Sequence, residues 1–155
     1  MNAAELMTAD PRTIRSDDPV SEALDALQTM TIRHLPVVDD DNNLIGMLTD
    51  RDLGALMRVP MASLDDPARM VIPLSQRPVS DFMSSDVVSV EPDTEMVDII
   101  EILLDQRIGA VPVVDGEGSV IGIVSYVDIL RAVSEGGEPP ARGRRVAAGR
   151  SQSRE

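Results

Sequence analysis

Two stretches of this chain say the same thing 76 positions apart. His34 to Asp52 reads HLPVVDDDNNLIGMLTDRD, and Ala110 to Asp128 reads AVPVVDGEGSVIGIVSYVD. The register holds without a gap: Pro36 and Pro112, Gly46 and Gly122, and Asp52 and Asp128 all keep that offset, and Met7 with Met83 and Asp17 with Asp93 carry it upstream. A period this long, occurring twice, means two copies of one small module rather than a solenoid. A copy of about 55 residues buries so little surface that it is marginal alone, so the two copies are expected to pack against each other.

Periodicity predicts the same order of elements in both copies, β-α-β-β-α, and hence an α/β (α+β) fold of two such repeats. Residues 2 to 8 suit a short opening helix and Thr13-Ile14 a brief extended segment. A helix follows from Pro19, capped by Asp17 or Asp18, with Val20, Ala23, Leu24, Leu27 and Met30 on one apolar face. His34–Val38 and Leu44–Leu48 read as strands around a turn of small polar residues. Gly46, inside the second strand, implies a close neighbour. Helical spacing resumes over Asp50–Met57. The second copy repeats this with an extended Val88–Val90, a helix over Glu95–Gln106, strands at Ala110–Val114 and Ser119–Val124, and a helix over Val127–Val133. The resulting division is 1–58 for repeat one, 59–78 for a proline-punctuated connector with a helical turn near Ala68–Val71, 79–134 for repeat two, and 135–155 for a disordered Arg/Gly/Pro-rich tail.

Charge and composition narrow the function. Residues 1–134 hold 9 Arg against 24 Asp and Glu, a net −15, whereas 135–155 hold 5 Arg against 3 Glu. So acidic a body opposes nucleic-acid phosphates and anionic membranes, and no specific nucleic-acid or membrane partner is expected. Lys is absent, so any fixed positive charge must come from Arg. Aromatic residues number two, Phe82 and Tyr126, and the core must be built from Val, Ile, Leu and nine Met. Without cysteine there is no disulfide, thiolate ligand or Cys nucleophile. The N-terminus lacks the basic start and apolar run of a signal peptide, and no apolar run approaches a membrane span, so a cytoplasmic protein is expected. With one His, no Gly-rich phosphate loop and no triad candidate, the chain reads as a non-enzyme. Asp39, Asp41, Asn43 and Asp50 imitate a calcium loop, but Leu44 stands where Gly is required and Asp where a bidentate Glu belongs, which excludes it.

These residues resemble a known family. The paired Leu35-Pro36-Val37-Val38-Asp39 and Val111-Pro112-Val113-Val114-Asp115 strands carry the likeness, together with the endings Gly46–Asp52 and Gly122–Asp128 and the openings Met7-Thr8 and Met83-Ser84. They resemble a tandem pair of CBS domains, the Bateman module, over about residues 3 to 134, which implies two β-α-β-β-α repeats packed as a pseudo-twofold pair. The resemblance implies clefts between repeats that take adenosine-containing regulatory ligands (AMP, ADP, ATP, NAD or S-adenosylmethionine, with or without Mg2+) and no required cofactor. It also implies a flat homodimer that signals to a separate protein, which the residues do not name.

Thr49-x-x-Asp52 and Ser125-x-x-Asp128 carry the chemistry. A carboxylate can accept from both vicinal hydroxyls of a ribose, and a hydroxyl three residues earlier can face a phosphate. The same spacing is a capping box, which needs no ligand; the two roles are compatible because a carboxylate has two oxygens. Arg51 lies between the first pair and Val127 between the second, so the first site is expected to prefer a phosphorylated ligand. Adenine is expected against Thr13, Ile14, Ser89 and Val90, bordered by His34 and Ala110, with no metal ligand among them. Against this adenosyl sensor stand a divalent-cation (Mg2+) sensor, suggested by the acidic body, and a ligand-free dimeric scaffold.

Overall fold

The computed structural model describes residues 1–29, 32–56 and 76–136. Its elements run α1 (Ala3–Leu6), β1 (Thr8–Ala9), β2 (Ile14–Arg15), α2 (Val20–Thr29), β3 (His34–Val38), β4 (Leu44–Thr49) and α3 (Asp50–Leu56). After a 3-10 turn at Val79–Asp81 come α4 (Met96–Gln106), β5 (Ala110–Val114), β6 (Val120–Ser125) and α5 (Tyr126–Ser134). The expected Met30, Met57, most of the connector with its helical turn, and the tail beyond Gly136 lie outside the described residues.

The strands form two three-stranded sheets ordered β2-β3-β4 and β1-β6-β5, a mixed α+β architecture. In each repeat the hairpin is antiparallel and shifts register at the same place, between Val37 and Val38 and between Val113 and Val114. Asp39 and Asp115 close the two turns alike: one carboxylate oxygen of each accepts two backbone N–H groups, from Asp41 and Asn43 or from Glu117 and Ser119. Bonding to Asn43 is the main reason the Asp39 carboxyl lies below its ordinary pKa. Each turn needs one left-handed residue, supplied by Asn42 (φ 65°) in one and Gly118 (φ 85°) in the other. The turns also clasp each other, through Leu44 N–H to Gly118 O at 3.2 Å and Val120 N–H to Asn42 O at 3.1 Å.

Packing does not follow the sequence division. The opening segment of each repeat belongs to the other. β1 pairs antiparallel with β6, and Ala3 and Leu6 join the core of Val90, Met96, Ile99, Val111 and Val124. Reciprocally, Val79 packs among Ile14, Val20, Leu35 and Leu48, while Ser84 bridges Met47 through two bonds of 2.9 Å. Gly46 has the close neighbour its position implied, the thioether of Met83; at Gly122 that neighbour is Met7. A side chain at either glycine would occupy the sulfur's place, so these glycines are what let the exchanged segments lie flat on the sheets.

The boundaries moved by a residue or two, with one change of role. Asp18 does not cap α2 with its side chain; its carboxylate accepts the Arg15 N–H at 2.9 Å, folding the turn before the helix. The first N–H of α2, at Val20, is instead satisfied by Arg77 O at 2.8 Å, from the end of the connector just before the other repeat opens.

Candidate functional site

Both Ser/Thr-x-x-Asp motifs lie where a sheet strand turns into a helix, and both are bonded as capping boxes. Asp52 Oδ2 accepts the Thr49 N–H at 2.9 Å and the Thr49 hydroxyl at 3.0 Å, and the Asp52 N–H donates back to that hydroxyl at 3.3 Å. Ser125 and Asp128 repeat these bonds at 2.8, 2.9 and 3.3 Å. Each hydroxyl has therefore spent its single proton on the carboxylate and keeps only acceptor capacity. A phosphate at Thr49 would have to break the Thr49–Asp52 bond before the hydroxyl could donate to it. Each carboxylate, in contrast, holds both its bonds on one oxygen. Asp52 Oδ1 has no partner among the described residues, while Asp128 Oδ1 lies 3.9 Å from Arg131.

What surrounds the motifs differs. Asp52, Thr49 and Arg51 line a cleft of about 970 Å³ between the two repeats. His34 and Ala110, expected to border the ligand, both face it. Asp128 instead lines a smaller hollow of about 320 Å³ beside Glu5 and Arg131, and Ser125 lines neither. Thr13, Ile14, Ser89 and Val90 also stand outside the cleft. Ile14 and Val90 are core residues, 3% and 5% exposed, because their strand-like segments pair with β3 and β5 and turn those side chains inward. The extended chain that does line the cleft lies just upstream of Ser89, at Val87 and Val88.

Several lining residues escaped the sequence reading: Arg33, Arg107, Asp86, Gly109 and Tyr126. Arg33 and Gly109 directly precede the two PVV strands, so the repeat register carried a signal for them. Arg107 had none, because it reaches the cleft only where α4 ends against the other repeat. His34 is half-buried with its ring laid over Gly109, where an added Cβ would come within 2.9 Å of Nε2. Burial is the main cause holding its pKa below the ordinary value; nearby Asp50 raises it and Arg33 lowers it further. Among the described residues no group of three His, Asp or Glu side chains could hold a metal ion, and no helix is long and apolar enough to cross a membrane.

A pair of exchanged β-α-β-β-α repeats with a ligand-sized cleft at their interface defines a class of two-repeat binding modules. The CBS domain family model matches residues 3–71 and 79–135, and the chain belongs to that family as a tandem pair. It is 33% identical over 126 residues to a CBS domain-containing protein of Dictyostelium discoideum, covering 81% of this chain and 86% of that one. It is also 33% identical over 129 residues to the inosine-5'-monophosphate dehydrogenase of Methanocaldococcus jannaschii. That match covers 83% of this chain but 23% of the dehydrogenase, so the chain spans about a quarter of that relative's length. The crystal structure of CBSX2 in complex with AMP is similar at a TM-score of 0.73 and 27% identity, covering 86% of this chain and 96% of that one.

Proposed function

We propose that this chain is a cytoplasmic regulatory module that takes one adenosine-containing ligand in the cleft at Asp52 and signals its occupancy to a partner protein. The observation that carries this reading is Asp52 Oδ1, which has no partner among the described residues. Its twin oxygen is anchored by two bonds, so the carboxylate is held in a fixed orientation at the mouth of a cleft, with one oxygen left to accept from ribose hydroxyls. Val87, Val88 and Ala110 would supply backbone groups to the base from the other repeat, and the similar CBSX2 is described in complex with AMP. A homodimer fits the exposed apolar side chains on the second repeat's helices, Leu104 at 71% and Leu130 at 62%.

Thermal unfolding with and without AMP, ADP, ATP, NAD or S-adenosylmethionine tests the reading. A ligand at 100 times its dissociation constant adds about 2.7 kcal/mol, which raises the midpoint by several degrees in a chain this size. That shift should vanish in Asp52→Ala and persist in Asp128→Ala. A second reading, a ligand-free dimeric scaffold, is favoured by the complete capping bonds of both motifs. It would be established by a flat response to every compound, with both variants merely less stable.

A further inference from the structure

The long helix of the second repeat departs from its twin in the first. The 76-residue offset sets Ser21 against Val97, Gln28 against Leu104 and Thr29 against Asp105. α2 is therefore polar on the face where α4 carries Val97 at 38% exposed, Leu104 at 71% and, just past its end, Ile108 at 37%. The spacing 97, 101, 104, 108 keeps these side chains and Glu101 on one stripe, and Asp98 and Asp105 run along its edge. All three carboxylates are exposed, and no cation pairs with them among the described residues. Asp105 stands in the last turn of α4, where the helix dipole is negative and no basic side chain offsets it. The face thus combines exposed apolar area with unopposed negative charge, and both call for a cationic, partly apolar cover.

We propose that residues 142–150 of this same chain, RGRRVAAGR, lie along that face of α4. The segment holds Arg142, Arg144, Arg145 and Arg150 with no acidic residue, and Val146, Ala147 and Ala148 stand between them. The path is short. Glu135, at the end of α5, and Met1 line the same hollow. Met1 O accepts the Met96 N–H at 2.9 Å, and Thr94 O accepts the Ala3 N–H at 2.8 Å, so the chain leaves α5 beside the first turn of α4. Arg142 follows Gly136 by six positions, a reach of up to about 20 Å, and the 11 residues of α4 extend about 16 Å. Arginine suits the contact because its stem covers apolar surface while its guanidinium meets a carboxylate. One exposed ion pair contributes little, so the contact depends on several pairs and the apolar cover together. Leu104 also belongs to the face that a homodimer would use, so the segment and a second copy compete for it. Nothing in the contact depends on what the cleft binds.

The chain has no cysteine, so Ser151→Cys offers one attachment point for a nitroxide label, whose paramagnetism broadens nearby amide signals in NMR spectra of the full chain. Amides of residues 97–105 should lose at least half of their intensity, and those of α2 should keep theirs. Combining Asp98→Asn, Glu101→Gln and Asp105→Asn should restore the α4 signals, whereas Glu22→Gln with Asp25→Asn on α2 should not. Raising NaCl from about 0.1 M to about 1 M should also restore them, because the screening length falls from about 10 Å to about 3 Å. Leu104→Ala should restore them in part. Broadening spread evenly over the surface, or left unchanged by the triple substitution, would overturn the contact. Broadening of an isotope-labelled chain by a nitroxide carried on a separate, unlabelled chain would place the segment on a neighbouring copy and overturn the assignment to its own helix. Signals of α4 that ignore the nitroxide but move with protein concentration would show that a second copy covers the face instead.

Discussion

Thr49-x-x-Asp52 and Ser125-x-x-Asp128 are bonded alike within a few tenths of an ångström, yet one lines a cleft of about 970 Å³ and the other a hollow of about 320 Å³. Duplication preserved the local device, a hydroxyl and a carboxylate capping a helix, because each copy needs its helix started there. It did not preserve the neighbours. Arg51 faces its cleft where Val127 stands in the second copy, and the free oxygen of Asp128 has an arginine 3.9 Å away where that of Asp52 has no described partner. The lesson is that a motif shared by two repeats reports their common folding needs, and the positions that break the repeat report what one site does alone.

The comparison can be broken most forcefully in the cores. Leu35 in the first cluster and Ile99 in the second are each 0% exposed, and truncating either to Ala should cost about 2–5 kcal/mol. Because each core borrows its opening segment from the other repeat, either variant should show one cooperative unfolding transition at a lowered midpoint. Two separated transitions in scanning calorimetry would show that the halves are independent after all. Removing the caps gives a smaller effect and a sharper contrast. Thr49→Ala and Ser125→Ala should each destabilise by about 1 kcal/mol in denaturant unfolding, while only Thr49→Ala changes ligand affinity. Equal binding losses from both would mean that the two sites act as one.

His34 gives the smallest effect and has no counterpart, since Ala110 stands in its place in the second copy. Its folded pKa is lowered, so the folded protein binds that proton less readily than the unfolded chain. Its contribution is therefore complete above about pH 6.5 and is lost as pH falls from there toward the folded pKa, at less than about 1.4 kcal/mol per pH unit, the ceiling for one proton. Denaturant midpoints measured between pH 7.5 and 5 should show this loss in wild type and not in His34→Gln. A matching decline in both proteins would assign it to other groups.

Much of the fold was legible in the residues themselves. The 76-residue register set two equivalent modules, alternation located both hairpins, and Gly46 announced a close neighbour. These signals are local or periodic, and chain sterics and burial impose them on any sequence of this pattern. The Ser/Thr-x-x-Asp motifs were legible for the same reason, as the capping boxes that start α3 and α5. Only the tertiary structure decided which segment serves which repeat. Met7 lies over Gly122 and Met83 over Gly46, because the opening segments cross between the halves, and nothing in the linear order distinguishes a crossed partner from its own. The same crossing decided the site. Asp52 faces Val87, Val88 and Arg107 of the other repeat, whereas Ile14 and Val90 went to the cores, since the cleft is walled by elements that meet across the pair and side-chain pattern records only whether a residue is buried, not against which half.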